Sequence, residues 1–221
     1  MRVLSSVLLS LFIVKKGCDN DEVNPCASQR RNVDYMPRKQ TPGIICLEGE
    51  WSNKLTDTST VHPILELLAH QQQIKFIHKD VGTLDELDYY LNKWLQKQYA
   101  EYNVGYLAFH GDPGGIWLGR KRVDLETITE IIDRRGSGRI LHFGSCSTLD
   151  IAPRHIKQFL ADTKVKAVCG YREDVDWLES AAFEMLLVEA LTYYRRVDAA
   201  YNYLRKNYSN LCRRLQFKMV W

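Results

Sequence analysis

The amino-acid sequence predicts an α/β protein, a three-layer sandwich in which a mostly parallel sheet of about six strands carries helices on both faces. Two observations support this fold. From residue 43 onward, short apolar runs alternate with longer amphipathic segments. The runs are nearly continuous in apolar residues, which is typical of parallel strands buried on both faces. Because no repeat or linker interrupts the alternation, residues 43–221 are expected to form one domain.

The strands and helices follow in chain order from the same pattern. Thr83 is a good N-cap, and Glu86 three residues later completes a capping box that starts the second helix. Strands are predicted at 43–47, 74–78, 104–109, 139–143, 165–170 and 215–220, with a small hairpin over 115–123. Helices are predicted at 61–73, 83–95, 124–133, 153–161, 176–194 and 197–208.

The composition excludes several classes of protein. The chain has 221 residues, of which 45% are hydrophobic and 26% charged, and this excludes a disordered or collagen-like chain. Its 30 basic and 27 acidic side chains give a net charge of +3. All of this excess lies in residues 1–42, which hold seven basic and four acidic side chains. Because residues 43–221 are neutral, nucleic-acid binding is not expected.

Residues 1–42 are interpreted as a leader or an extension outside the domain. Residues 3–14 form a 12-residue apolar run, which is short for a bilayer span and similar to the apolar region of a secretory signal. Lys15 and Lys16 follow it, where a cleavage site needs small residues. An uncleaved anchor, a signal peptide and a non-native extension with Met36 as the true start stay open. No stable membrane span is expected.

The cysteines indicate a reducing compartment. The six cysteines form no CxxC pair and no Cys/His cluster at zinc spacing. Cys46 and Cys169 lie within apolar runs, where a cysteine usually acts as a small buried hydrophobe. The protein is therefore expected to be cytoplasmic. Export or membrane association through residues 3–14 is the alternative.

A histidine and a cysteine follow two of the predicted strands. His110 comes directly after strand 104–109, and Cys146 follows strand 139–143. A helical crossover joins parallel strands side by side, so these two strand ends should be neighbours. An imidazole near a thiol raises its thiolate fraction and can later protonate a leaving amine. The alternative is a strand-capping histidine and a buried thiol.

Other histidines and the glycine-rich segment are weaker candidates for a catalytic or ligand-binding site. His142 is four residues before Cys146, roughly 13 Å away along a strand, which is too far for a dyad. The glycine-rich segment 111–115 does not open a helix, so it is a weak candidate for a phosphate site. The remaining histidines are expected to lack partners and to serve as surface or packing residues: His62, His70, His78 and His155.

The order of strand, His110-Gly111, hairpin, helix, strand and Cys146 resembles the caspase-like cysteine peptidases, which include caspases, metacaspases, gingipain- and clostripain-like enzymes and CHAT-domain proteases. The similarity covers about residues 43–221, and segment 165–191 is similar to the corresponding CHAT segment. The resemblance implies a caspase-like sheet, with His110 as general acid/base and Cys146 as nucleophile. It further implies an oxyanion hole made by the backbone N–H groups of Gly111 and Cys146. Neither a metal nor a cofactor is implied.

The sequence departs from this family at the cysteine. The caspase signature Q-A-C-x-G is replaced by GSCST at 144–148, and Gly144 stands where metacaspases have an acid. A caspase-like preference for Asp is therefore not expected. Only about 20 residues separate Cys146 from strand 165–170, which leaves no long linker for maturation by cleavage.

Two loops suggest the substrate. In the resembled fold, the loops after the first strand and after strand 165–170 border the pocket for the P1 residue, the residue before the cut. Their candidate pocket residues are Glu48, Glu50, Trp51, Glu173, Asp174, Asp176 and Trp177. Acids there would favour a basic P1 side chain by charge pairing, so cleavage after Arg or Lys is expected. Alternatively, Asp174 and Asp176 cap the following helix and the glutamates face solvent.

The sequence thus predicts a cysteine endopeptidase acting on protein or peptide substrates. A catalytically inactive module that binds a protein partner is the first alternative. A domain that binds a nucleotide or small ligand through 111–115 is the second. Basic residues along the last predicted helix and beyond it form either a solvated face or a surface for a regulatory protein partner.

Overall fold

The computed structural model describes residues 42–72 and 74–221, so the predictions for the leader lie outside the described residues. Its strands are β1 (Gly43–Glu48), β2 (Lys75–Asp80), β3 (Val104–Ala108), β4 (His110–Asp112), β5 (Gly115–Leu118), β6 (Lys121–Asp124), β7 (Ile140–Gly144), β8 (Ala167–Tyr171) and β9 (Phe217–Val220). Its helices are α1 (His62–Gln72), α2 (Leu84–Trp94), α3 (Leu125–Ile132), α4 (Pro153–Thr163), α5 (Trp177–Tyr193), α6 (Val197–Asn207) and α7 (Ser209–Arg214), with a 3₁₀ turn at Lys97–Tyr99.

The main sheet has six strands in the order β2-β1-β3-β7-β8-β9. Every neighbouring pair is parallel except β8 and β9, which are antiparallel. A separate antiparallel sheet of β4, β5 and β6 is inserted between β3 and α3. The predicted fold class, with its mostly parallel sheet of six strands, is confirmed.

Helices cover both faces of the sheet because its strands are apolar on both sides. In β1, Ile44 and Cys46 belong to one buried cluster, which includes residues of α1, α5 and α6. Ile45 and Leu47 belong to a second cluster, which includes residues of α2, α3 and α4. Alternate side chains of a strand point to opposite faces, so a fully apolar run such as β1 requires a helix layer on each side.

The helix starts follow capping rules. Thr83 and Glu86 form the predicted capping box at α2, and Asp124 accepts a hydrogen bond from the Thr127 backbone N–H at α3. Pro153 occupies the first turn of α4, where its missing N–H costs nothing. Across residues 42–72 and 74–221, no helix combines the length and apolarity needed to cross a membrane.

Two elements differ from the sequence-based prediction. His110–Asp112 forms β4 although the segment was expected to be a loop, because pairing with β5 imposes an extended backbone on residues of low strand propensity. Helix α7 was not predicted because its six residues are too few for a periodic pattern.

Candidate active site

The ends of β3 and β7 bring His110 and Cys146 to one place. The two strands are parallel neighbours, and Ala108 pairs with Gly144 in their register. His110 and Cys146 each lie two residues beyond that pair. Both side chains line a single cavity of about 240 Å³. The predicted adjacency of the two strand ends is therefore confirmed.

The backbone of Gly111 packs directly against the cysteine loop. A Cβ atom at Gly111 would lie 2.6 Å from the carbonyl oxygen of Cys146 and would also overlap the Thr148 side chain. Real Cβ atoms do not approach other atoms this closely, so only glycine fits at this position. This contact joins the hairpin that follows His110 to the loop that carries the thiol.

Hydrogen bonds hold the cysteine loop in a strained turn. Ser147 adopts a left-handed backbone conformation with φ of 52°. Its backbone N–H donates to the Glu173 carbonyl at 3.1 Å, and its hydroxyl donates to an Asp174 carboxylate oxygen at 2.8 Å. The Leu149 N–H donates to the Tyr171 carbonyl at 3.0 Å. These bonds attach the loop to the end of β8.

The carbonyl group of Trp51 orients the imidazole ring. His110 Nε2 lies 2.8 Å from the Trp51 carbonyl oxygen. Because a carbonyl only accepts, Nε2 carries the hydrogen and Nδ1 is the basic nitrogen of the neutral ring. The Trp51 ring packs edge-on against His110, with 5.4 Å between ring centroids, and its Nε1 donates to Glu48. The sequence predicted Trp51 only as a pocket wall, because a backbone carbonyl leaves no residue-specific signal.

The environment of Cys146 favours the neutral thiol. Burial raises the pKa of Cys146, and the nearby carboxylates of Asp174 and Glu184 raise it further. Hydrogen bonds from the Val175 and Cys146 backbones act in the opposite direction. Among the cysteines of the described residues, which are all free, Cys146 is half-buried while Cys46, Cys169 and Cys212 are buried. The thiol therefore needs a base at the moment of reaction.

Glu184 lies at the inner end of the cavity and was not predicted. It lines the cavity although it is only 3% exposed. Its carboxylate accepts hydrogen bonds from the hydroxyl groups of Tyr106 and Tyr171. His142 Nε2 lies 3.3 Å from the same carboxylate. A signal was available in the sequence, since Glu184 is an isolated acid within the apolar segment AAFEMLLV at 181–188.

His142 does not line the cavity, and its ring contacts Glu184 and Cys169 instead. Burial of the ring opposes its charged form, but contacts with Cys169 and Glu184 outweigh this and raise the pKa of His142 to about 10. At neutral pH His142 is therefore an imidazolium that contacts the Cys169 sulfur through Nδ1 and the buried Glu184 carboxylate through Nε2, and these contacts limit the cost of burying its charge.

Glu48 is a buried structural residue. It is 2% exposed and does not line the cavity that contains Cys146. One carboxylate oxygen accepts from the Val61 N–H at 2.8 Å, and the other lies 2.7 Å from Thr60 Oγ1 and 2.6 Å from His78 Nε2. The expectation that the glutamates face solvent is wrong for Glu48. The expectation that the remaining histidines lack partners is wrong for His78, and also for His62 and His155, which contact Glu66 and Arg154 at the surface. The contact between Glu48 and His78 depends on the pairing of β1 with β2, and the remaining contacts of Glu48 come from Thr60 and Val61, just before α1.

The other predicted pocket residues divide into two groups. The Trp177 side chain lines the cavity, and its ring packs edge-on against Trp51. Asp176 caps α5 by accepting from the Leu178 and Glu179 N–H groups, as the alternative interpretation predicts. Asp174, predicted either to line the pocket or to cap this helix, does neither and instead accepts from the Ser147 hydroxyl. Glu50 and Glu173 are exposed and do not line the cavity.

The glycine-rich segment 111–115 forms part of the hairpin made by β4 and β5. Asp112 belongs to β4 and pairs with Arg122, whose Nε lies 2.8 Å from its carboxylate. Gly115 begins β5, and the turn between them does not open a helix. The segment thus serves to position β4 against the cysteine loop.

Comparison with known proteins assigns a family without an activity. The chain belongs to a protein family described as a family of unknown function, DUF6642, whose profile matches residues 42–221. This match spans all the strands and helices described above. No curated protein matches the sequence.

Proposed function

We propose that this chain is a cysteine endopeptidase of the caspase-like class, with Cys146 as nucleophile and His110 as general acid/base. The observation that carries the proposal is the shared cavity at the adjacent ends of β3 and β7, lined by both side chains. The hydrogen bond from His110 to the Trp51 carbonyl supports it, because it sets Nδ1 as the basic nitrogen.

The reaction would proceed by acyl transfer. As Cys146 Sγ attacks the peptide carbonyl carbon, His110 Nδ1 takes the thiol proton. The N–H groups of Gly111 and Cys146 would hold the oxyanion. His110 then returns the proton to the leaving amine, and a thioester forms. Water, deprotonated by His110, hydrolyses the thioester and releases the acid product.

The proposed substrate has a basic P1 residue. No lysine or arginine is among the described residues that line the cavity. Asp174 contributes negative charge beside the cavity, as its effect in raising the thiol pKa of Cys146 indicates. The aromatic walls Trp51 and Trp177 suit a flat guanidinium group, which stacks on aromatic rings better than an ammonium group. We expect cleavage after Arg to be preferred over Lys.

A panel of fluorogenic peptides that differ only in P1 (Arg, Lys or Asp) tests the proposal. The wild-type chain should hydrolyse the P1-Arg peptide fastest, and Cys146→Ser should abolish hydrolysis. Cys212→Ser is the matched control, because it removes a buried thiol far along the chain and should preserve activity. A preference for P1-Asp would overturn the substrate class.

The alternative is a catalytically inactive module of the same fold that binds a protein partner. The raised pKa and half-burial of Cys146 are the observations that favour it. Such a module would hydrolyse none of the three peptides, and its Cys146 would react no differently when His110 is removed.

A further inference from the structure

A second cluster of reactive side chains lies where β1 and β2 end. Glu48 is the register partner of Asp80 in the parallel ladder, and Cys46 is the partner of His78. Side chains two residues apart on a strand share a face, so His78 and Asp80 lie on the same side of β2. The ligand-type atoms of Glu48, His78 and Asp80 all lie within 4.8 Å of one another.

The three side chains offer a donor set suited to a metal ion. One imidazole nitrogen and two carboxylate oxygens are typical ligands of Zn²⁺ and related transition dications, whereas Ca²⁺ and Mg²⁺ prefer oxygen alone. His78 Nε2 already lies 2.6 Å from a Glu48 carboxylate oxygen. Two ligand atoms of a tetrahedral site stand somewhat farther apart, so a small widening of this hydrogen-bonded pair would admit an ion.

The surroundings favour a cation and give it access. Glu48 and Asp80 line an open cavity of about 540 Å³, distinct from the one that contains Cys146. Five of the residues that line it are acidic and one is a lysine, namely Glu48, Glu50, Asp57, Asp80, Glu86 and Lys54. A concave surface with this imbalance concentrates cations. The open space also leaves room for water as a further ligand.

We propose that Glu48, His78 and Asp80 bind a divalent transition cation of the zinc class. On binding, the hydrogen on His78 Nε2 moves through solvent to Nδ1, so that the neutral ring ligates the ion through Nε2. The Glu48 oxygen that had accepted this hydrogen becomes the second ligand and keeps its contact with Thr60 Oγ1. The other Glu48 oxygen keeps its bonds to the Trp51 indole and the Val61 N–H. The ion would thus clamp the loop after β1 to β2. The inference does not depend on peptidase activity.

Titration of the full chain with Co²⁺, followed by visible absorption, tests the site. We expect one ion to bind per chain, with d–d bands and without a sulfur-to-metal charge-transfer band. Asp80→Asn and His78→Gln should each weaken binding by at least about tenfold, since even loss of outer partners of a metal ligand costs 10–100-fold. The matched controls Asp85→Asn and His70→Gln, both exposed positions outside the cluster, should bind as the wild type does.

Several results would overturn the proposal. They are the absence of saturable binding, binding with a thiolate charge-transfer band, and affinity unchanged in both Asp80→Asn and His78→Gln. Circular dichroism of the ion-free variants checks their folding. Asp80 is exposed and at a strand end, so its substitution leaves the buried Glu48 contacts in place even if His78→Gln is destabilising.

Discussion

His110 donates its Nε2 hydrogen to the carbonyl oxygen of Trp51, 59 residues away in the sequence, across 2.8 Å. This bond determines which imidazole nitrogen can act as a base. The loop that supplies the carbonyl is itself held by the buried carboxylate of Glu48, which accepts from the Trp51 indole. The proposed general base is thus positioned by the loop after β1, whereas the thiol is positioned by loops after β7 and β8.

The pH dependence of Cys146 alkylation should reflect its raised pKa. Because burial and the carboxylates of Asp174 and Glu184 disfavour the thiolate, the rate should keep rising above the ordinary pKa of a thiol, about 8.5. Asp174→Asn should shift this profile to lower pH, since it removes one of the charges. The measurement is the iodoacetamide rate at Cys146 by peptide mass spectrometry. An unshifted profile in Asp174→Asn, or the same shift in the control Asp150→Asn, would argue against this electrostatic effect.

Gly111→Ala should disrupt the contact between the hairpin and the cysteine loop. The added Cβ would lie 2.6 Å from the Cys146 carbonyl oxygen, so the backbone must move. We expect a loss of about 1–3 kcal/mol in the free energy of unfolding, the usual cost of overpacking, together with loss of peptidase activity. Urea denaturation and the P1-Arg assay measure the two effects. Gly82→Ala is the control, because its Cβ would be 3.8 Å from the nearest atom. If Gly111→Ala and Gly82→Ala had the same free energy of unfolding and the same activity, close packing at Gly111 would be contradicted.

Asp176→Ala should destabilise α5 without changing substrate preference. The Asp176 carboxylate caps the helix by accepting from the Leu178 and Glu179 N–H groups, each at 3.0 Å. Loss of such a cap costs about 0.5–2 kcal/mol in the free energy of unfolding. Glu173→Ala, which removes an exposed acid from the same loop, should have little effect on stability. If Asp176→Ala instead abolished the preference for a basic P1 residue at unchanged stability, Asp176 would belong to the specificity pocket after all.

Stability should decline at alkaline pH because buried His142 is held in its charged form by its contacts with Cys169 and Glu184. Folding raises the pKa of His142 from 6.5 to about 10, so the folded state holds its proton more tightly than the unfolded chain does. This contribution is fully present below pH 6.5 and is lost as the pH rises through about 10. Urea denaturation should show that the free energy of unfolding declines more steeply between pH 6.5 and about 10 in the wild type than in Glu184→Gln. Glu179→Gln, on the same helix, should keep the wild-type slope; identical slopes in all three proteins would contradict the pairing.

The fold and the position of the two central residues could be predicted because they depend on local pattern and topology. Apolar runs indicated the strands, and the helical crossover placed the end of β3 beside the end of β7. The orientation of individual acids could not be predicted in this way. Glu48 turns into the protein because Thr60, Val61 and His78 bind its carboxylate, and those partners come together only in the folded chain. Glu184 reaches the cavity from α5, which lies far along the sequence from His110 and Cys146.

Activation of Cys146 by His110 is tested by the iodoacetamide rate at Cys146 in wild-type, His110→Ala and His155→Ala chains. His155 is an exposed histidine outside the cavity and serves as the matched control. If His110 is the base, His110→Ala should slow labelling of Cys146 at least about tenfold near neutral pH, while His155→Ala should leave the rate unchanged. Equal rates in wild type and His110→Ala would contradict it.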